Sequence, residues 1–322
     1  DTYVKKRNFR SKMGCFMKSK KANWLFLVII LVHIAVVTLL VRAGDRITLD
    51  IITNCLVSEG IIIAPAILFL LPTKSRINEV LGFHRIRIST FFMIFLFTVL
   101  ITPLVTVLNV LSMFFTDNAV AAMQGDILGV SFPVMWLLIG VYGPFCEEFV
   151  FRGAIYGGYK KSGGVVGAIL LSSLAFGLMH MNFNQAIYAF VIGILLSMLV
   201  EATGSLWASV FCHMIFNSFS VCMMFLSDWM MNTFYGGMMS DVQAEITNVE
   251  LMAALSVYLV IAAVTTPIAI CVLAWMVKNE KRVEIVKNLR AKRAQQGEYL
   301  ISIPFIIAVV LCLGFMSLEF IL

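Results

Sequence analysis

The stretch "VMWLLIGVYGPFCEEFVFRG" (residues 134–153) decides the fold class, because it places three charges within a long apolar run. Runs of about 20 apolar residues cross a bilayer as helices. Of the 322 residues, 61% are hydrophobic and 13% are charged, against about 25% charged in an ordinary soluble domain. The mean hydropathy is +0.95. The composition therefore predicts a polytopic membrane protein, and runs this continuous predict an all-α helical bundle rather than a membrane barrel.

Long apolar runs recur along the whole chain and predict nine transmembrane helices. The predicted spans are 24–43, 51–71, 91–115, 131–157, 164–181, 184–202, 204–224, 251–276 and 300–322. No linker is long enough to separate soluble domains, so residues 24–322 are expected to form one transmembrane domain. Residues 1–23 would form a basic cytoplasmic segment before it.

The basic residues predict the orientation of these spans. Of the 24 lysines and arginines, eight lie in 1–23, four in 72–90, three in 152–163 and seven in 277–298. Arg42 and Arg46 are the remaining two, on the opposite side. Because cytoplasmic loops are enriched in Lys and Arg, the N-terminus is predicted inside and the C-terminus outside. The same loops, lying on anionic lipid, account for the net charge of +6 without a nucleic-acid partner.

Ionisable residues inside membrane spans are expensive and indicate function by default. The first such cluster is Glu147-Glu148-x-x-x-Arg152. Glu148 and Arg152 are four residues apart, so they share a helix face and can form an ion pair. Glu147 points about 100° away and stays available as a general base or acid. Taken alone, the cluster also fits a purely structural ion pair.

Two further clusters lie in later spans. "FGLMH" ends at His180 and "HMIFN" runs from His213 to Asn217, each with polar or aromatic residues at i and i+4. His213 and Asn217 could donate hydrogen bonds toward one point, as an oxyanion hole does. Alone, each cluster equally fits a polar contact between helices. Glu59, in the second span, has no motif around it and is interpreted as a cavity-lining residue at most.

Together the clusters indicate a hydrolytic site. The chain has four histidines, and two of them fall in these motifs. If Glu147, His180 and His213 converge, they supply a carboxylate, a base and a third polar group around one water, which suits peptide hydrolysis. In the predicted spans the three residues lie at different depths in the membrane. They can meet only if helices tilt, break or start deeper in the membrane than predicted. Gly143 and Pro144 allow such a break.

The order EExxxR, FxxxH, HxxxN, each in its own apolar span, resembles the CAAX protease and bacteriocin-processing family, which includes bacterial Abi-type membrane proteins. The resemblance covers about 131–224, the expected catalytic core. It implies an intramembrane endopeptidase of the bacterial cytoplasmic membrane, acting on a small peptide, a propeptide or a membrane-protein terminus. By this resemblance Glu147 activates water with His180, and His213 and Asn217 form an oxyanion hole or hold a metal. Glu148 and Arg152 support the helix.

Cofactors and competing functions stay open at this point. Two histidines and a carboxylate would suit zinc, but HExxH is absent, which favours a metal-independent glutamate mechanism. The seven cysteines form no CxxC pair and predict packing rather than a thiolate site. The alternatives are a non-catalytic immunity or scaffold protein with the same fold, and an ion-coupled transporter, which the lack of visible repeats disfavours. The sequence does not predict an oligomeric state.

Overall fold

The computed structural model describes residues 18–71, 81–162, 164–235, 247–289 and 299–320. These residues form an all-helical bundle without a β-strand. Most of the predicted basic segment 1–23, and the end of the basic stretch 277–298, lie outside the described residues. The nine principal helices are α1 Ser19–Ala43, α2 Ile51–Leu70, α3 Ile88–Ser112, α4 Phe132–Ser162, α5 Val165–Met179, α6 Phe183–Thr203, α7 Leu206–Tyr235, α8 Asn248–Asn279 and α9 Ile303–Met316.

Seven of these helices are long and apolar enough to cross a membrane, and α5 and α9 are shorter apolar helices. The prediction of a polytopic helical membrane protein with about nine spans is confirmed. The predicted spans match the nine helices, and all ends but one lie within about six residues of the prediction. The largest difference is at α7, which ends at Tyr235 instead of residue 224, followed by the last span, whose helix ends at Met316 instead of residue 322.

Helix α4 lies at the centre of the bundle. Its second half is buried on every side, with Val150, Phe151, Ile155 and Tyr159 all 0% exposed. A helix that is apolar all round must be enclosed by other helices, and α4 contacts α1, α2, α5 and α7. This enclosed position explains how the three charges of residues 147–152 are shielded from lipid.

Two π-helical segments interrupt α4, at Trp136–Tyr142 and Phe149–Tyr156, and residues Gly143–Glu148 between them are α-helical. Pro144 gives a reason for the first segment. A proline has no N–H to donate and its ring crowds the preceding turn, so an α-helical register cannot continue through it unchanged. The kink predicted at Gly143-Pro144 therefore takes the form of a widened turn, a feature that recurs at functional sites.

The ends of several helices are tied together on one side of the bundle. Tyr156 Oη donates to Glu201 Oε1 at 2.7 Å, and Lys160 pairs with the same carboxylate. Arg282, after α8, donates to the carbonyl oxygen of Glu201 at 2.8 Å. Ser19, at the start of α1, donates its backbone N–H to Ser162 Oγ at 2.8 Å. This shared side carries the basic loops, as the predicted alternation of spans requires.

Candidate active site

The centre of the site is the ring of His213, which lies between the two glutamates of α4. His213 Nδ1 is 3.0 Å from Glu148 Oε1, and His213 Nε2 is 3.6 Å from Glu147 Oε2. An ionised carboxylate only accepts hydrogen bonds, so Nδ1 carries the proton and donates to Glu148. The imidazole is thereby oriented with Nε2 toward Glu147. The carboxylate that orients the ring and the one that remains available are therefore adjacent in the sequence.

Glu148 is also held by the predicted ion pair with Arg152. Arg152 Nη1 donates to Glu148 Oε1 at 2.9 Å, and the two side chains are 1% and 0% exposed. The guanidinium carbon of Arg152 lies 4.1 Å from the ring centre of Phe176, in a cation–π contact. A buried charge requires such partners. The i, i+4 ion pair predicted from the sequence is present.

His180 reaches the same cluster from the end of α5. Its ring stands edge-on to Phe176 at 5.1 Å, and the ring of His213 stands edge-on to Phe176 at 5.8 Å. His180 Nδ1 is 2.9 Å from the carbonyl oxygen of Phe176, which fixes the ring. His180 also lies within electrostatic reach of Glu147 and His213. The structure thus brings together the three residues predicted to share one water.

Helix lengths explain how residues from different spans meet. His180 follows a helix of only 15 residues, which places it about 22 Å from the start of α5. Glu147 is the same number of residues from the end of α4 and so lies at a similar depth. Helix α7 starts inside the bundle, since Ser205 is 0% and Leu206 is 1% exposed. The possibilities from the sequence were tilted helices, broken helices and helices that start deep in the membrane. The structure has the last two, namely the short α5 and the buried start of α7.

Asn217 is placed differently from the sequence expectation. Its Nδ2 donates to the carbonyl oxygen of Ile139 at 3.2 Å, and Ser218 Oγ donates to that of Gly140 at 3.4 Å. These are the carbonyls that Pro144 leaves without a partner, in a π-helical and an α-helical register respectively. Asn217 and His213 therefore do not donate toward a common point here, and the described hydrogen bonds use one of the two N–H groups of the Asn217 amide.

The exposure of the two glutamates separates their roles. The side chain of Glu147 is 15% exposed, whereas that of Glu148 is 0% exposed. Among the described residues, the hydrogen bonds do not involve the side chain of Glu147, and its ion-pair partner is His213 at 3.6 Å. The available carboxylate is therefore also the one that water can reach.

Two contributions to the site have weak or no sequence signals. Phe176 contacts His180, His213 and Arg152 at once, and the FxxxH spacing had only indicated that it shares a face with His180. Glu59 of α2 reaches the same region, within electrostatic reach of Glu147. No local pattern marks Glu59 beyond its being a charge in an apolar helix, so only the packing of α2 on α4 identifies it.

The described residues contain no group of three His, Cys, Asp or Glu side chains arranged to hold a metal ion. Both nitrogens of His213 face carboxylates, and His180 Nδ1 faces a backbone carbonyl. A zinc site would therefore need these side chains to rearrange.

These features define a helical membrane protein with a carboxylate–histidine cluster in its interior. Residues 129–219 match the family described as "Type II CAAX prenyl endopeptidase Rce1-like". Over 91 residues the chain is 30% identical to the "Putative membrane peptidase YdiL" of Bacillus subtilis (strain 168). That alignment covers 28% of this chain and 37% of the relative, so most of each protein lies outside it. No solved structure matches the chain.

The matched segment contains all three motifs and runs from just before α4 into α7. The resemblance to the CAAX protease and bacteriocin-processing family, drawn from those motifs, is confirmed over this segment. Helices α1 to α3, α8 and α9 lie outside it. What these helices add to the site has to be argued from the geometry.

Proposed function

We propose that this protein is an intramembrane endopeptidase that hydrolyses a peptide bond with a water activated by Glu147. The observation that carries the proposal is the position of His213, with Nδ1 on Glu148 and Nε2 toward Glu147. A base oriented by a buried carboxylate is a recurring device for moving protons in hydrolysis. The family match over residues 129–219 supports the same activity.

In this mechanism Glu147 removes a proton from the water, and the resulting hydroxide attacks the carbonyl carbon of the substrate. His213, and His180 with Nδ1 on a backbone carbonyl, each present Nε2 as an acceptor that positions the water. Arg152 keeps Glu148 ionised, and Glu148 keeps the ring of His213 in the productive orientation. The second N–H of the Asn217 amide is available to the substrate oxygen.

The substrate class proposed is a small peptide, a propeptide or the terminus of a membrane protein. Such a substrate can enter between helices, where Glu147 is partly exposed, and leave its apolar part in the lipid. The printed description of the matching family makes peptides with a C-terminal CAAX sequence reasonable first probes. The bilayer is the other partner, and the bacterial cytoplasmic membrane is the proposed location.

The decisive variant is Glu147→Gln, which keeps size and hydrogen bonding but cannot accept a proton. Purified full-length protein in lipid vesicles is incubated with a peptide library, and cleavage is followed by mass spectrometry. Glu147→Gln should abolish cleavage, with folding and substrate binding nearly unchanged. The control Glu284→Gln removes an exposed carboxylate from the short helix after α8 and should be fully active. Wild-type cleavage by Glu147→Gln would reject this mechanism in favour of a scaffold protein.

His180→Ala and His213→Ala should also be severely impaired. Combined with Glu147→Gln, they should add little further loss, because residues that act as a unit are not additive. A strong chelator, added to wild-type protein in the same assay, separates the two cofactor hypotheses. Activity that survives the chelator indicates the glutamate–water enzyme, and lost activity indicates zinc.

A further inference from the structure

Glu59 is a carboxyl group of α2 that lies against the catalytic turn of α4. A Cβ atom built on Gly143 would be 3.0 Å from Glu59 Oε1. A side chain at position 143 would therefore press on this carboxyl, which would have to move by a few tenths of an ångström. Gly143 is four residues before Glu147, so both lie on the same face of the helix. The carboxyl of Glu59 therefore faces the side of α4 from which Glu147 projects.

The surroundings of Glu59 distinguish it from the structural glutamates. Glu148 is held by Arg152 and His213, and Glu201 is held by Tyr156 and Lys160. Glu59 Oε2 is buried without a hydrogen-bond partner among the described residues, as are Oε2 of Glu148 and Oε2 of Glu201, but those two carboxylates are held through Oε1. None of the described hydrogen bonds or ion pairs involves Glu59 Oε1, so this carboxyl has no such partner through either oxygen. A carboxyl without a partner in an apolar interior is costly, so we expect a ligand, a substrate or a reacting proton to complete it.

The charge state of Glu59 follows from this position. An isolated ionised carboxylate is strongly disfavoured in an apolar interior. Glu147 is within electrostatic reach, and two neighbouring carboxyl groups do not both ionise readily. Glu147 has His213 beside it, whereas no described hydrogen bond or ion pair holds Glu59. Glu59 is therefore assigned as the neutral acid of the pair, with a proton to donate.

We propose that Glu59 is a second catalytic residue, whose carboxylic acid protonates the amine that leaves when the peptide bond breaks. This inference rests on the proposed peptidase function. Glu147 takes a proton from water, the hydroxide forms a bond to the carbonyl carbon, and the C–N bond breaks as its nitrogen takes the proton of Glu59. The products are a carboxylic acid and an amine. Proton transfer from Glu147 to Glu59 then restores both groups.

The test compares two substrates with the same acyl peptide, one with an amide bond at the cleaved position and one with a nitrophenyl ester. An amide nitrogen must be protonated to leave, whereas nitrophenolate leaves as an anion. Glu59→Gln should therefore lower kcat for the amide by about 10²–10⁴-fold, with KM nearly unchanged, and should lower kcat for the ester by only a few-fold. Glu147→Gln should lose both reactions, because both need an activated water.

Each other outcome counts against the proposal. Equal losses on amide and ester would show that Glu59 is structural, and full activity on both would show that it has no role. If the wild-type protein cleaves neither substrate, the result contradicts the proposed peptidase function, and the proposed role of Glu59 is rejected with it. If Glu59→Gln loses thermal stability, Glu59→Asp is measured in the same assay as a second variant. It keeps the acid on a shorter side chain and should retain more amide cleavage than Glu59→Gln.

A further variant moves the acid without removing it. Gly143→Ala introduces a methyl group 3.0 Å from Glu59 Oε1 and should push the carboxyl away. Amide cleavage should then fall more than ester cleavage, as in Glu59→Gln. Ser58→Ala is the matched control, since Ser58 is the exposed neighbour of Glu59 on α2. It should leave both reactions unchanged, and an amide-selective loss there would contradict the proposed assignment.

Discussion

At the scale of single residues, the site depends on two adjacent glutamates, Glu147 and Glu148, that have different roles. A helix turns about 100° per residue, so Glu147 and Glu148 face different neighbours. Glu148 faces Arg152 and His213 in a fully buried position, and Glu147 faces the accessible side. The dipeptide therefore provides both the charge that orients His213 and the base that acts on water.

Arg152→Ala is predicted to destabilise the fold. The substitution leaves Glu148 buried without its cationic partner, which costs about 3–5 kcal/mol for a buried pair. The measurement is thermal unfolding of the purified protein in detergent. Lys287→Ala is the control, because it breaks an exposed ion pair with Glu284 and should change the midpoint little. An Arg152→Ala protein that is fully stable and fully active would contradict this role.

Asn217 is predicted to stabilise the widened turn around Pro144. Asn217→Ala leaves the carbonyl of Ile139 without a donor, at a cost of about 1–3 kcal/mol. In a Pro144→Ala background an N–H returns at position 144, so the same substitution should cost less. Thermal unfolding of the two single variants and the double variant measures the coupling. Independent, additive effects would show that Asn217 does not compensate for Pro144.

The activity of Asn217→Ala is a separate quantity. If the second N–H of its amide donates to the developing oxyanion, turnover should fall by about 10²–10³-fold. The loss is expected to be smaller than that of Glu147→Gln, since the base is still present. The same cleavage assay measures it, at a temperature where the variant remains folded. Unchanged turnover would restrict Asn217 to its contact with Ile139.

At the scale of elements, the position of His180 depends on close packing between α5 and α6. A Cβ atom on Gly177 would be 2.6 Å from the carbonyl oxygen of Ala186, and one on Gly193 would be 2.8 Å from Ser173 Cβ. Small residues let transmembrane helices approach each other closely. Asn182 caps α6 by accepting from the N–H of Gln185, and its Nδ2 donates to the carbonyl oxygen of His180. The short turn between the helices is therefore rigidly held.

Gly177→Ala is predicted to separate α5 from α6 and to displace His180. Overpacking of this kind costs about 1–3 kcal/mol, and activity should fall further than stability because the histidine moves. Thermal unfolding and cleavage rates together measure both effects. Gly314→Ala is the matched control in α9, where an added Cβ meets nothing within 4 Å. Comparable effects of the two substitutions would show that the close approach at Gly177 is unimportant.

At the scale of the whole molecule, the basic loops predict that residue 1 is inside and residue 322 outside. Val120→Cys and Ile285→Cys test this in a background without the native cysteines. Val120 lies between α3 and α4, and Ile285 lies in the short helix Val283–Lys287 after α8. An impermeant thiol reagent applied to intact cells should label position 120, and label position 285 only after permeabilisation. Labelling in the opposite order would invert the topology.

The sequence predicted those features that depend on local spacing and composition. Nine apolar runs predicted nine helices, and the i, i+4 spacing predicted the pair of Glu148 and Arg152. The π-helical segments were not predicted, since hydropathy is insensitive to one extra residue per turn. The role of Glu59 and the direction of the Asn217 amide depend on how α2 and α7 pack against α4. Tertiary contacts of this kind leave no local pattern.

The short helix α5 has a consequence for the surrounding lipid. Helix α5 starts beside the start of α9, where a Cβ atom on Gly167 would be 2.8 Å from Leu300 Cδ1. A 3₁₀ segment, Ser317–Phe320, continues α9, but α5 has only 15 residues and is about 22 Å long, whereas the hydrocarbon layer of a typical bilayer is about 30 Å thick. The outward face of α5 is apolar and exposed, for example at Val166 and Leu170. Acyl chains beside it must shorten or tilt, so the protein is expected to thin the membrane locally and to prefer lipids with short chains.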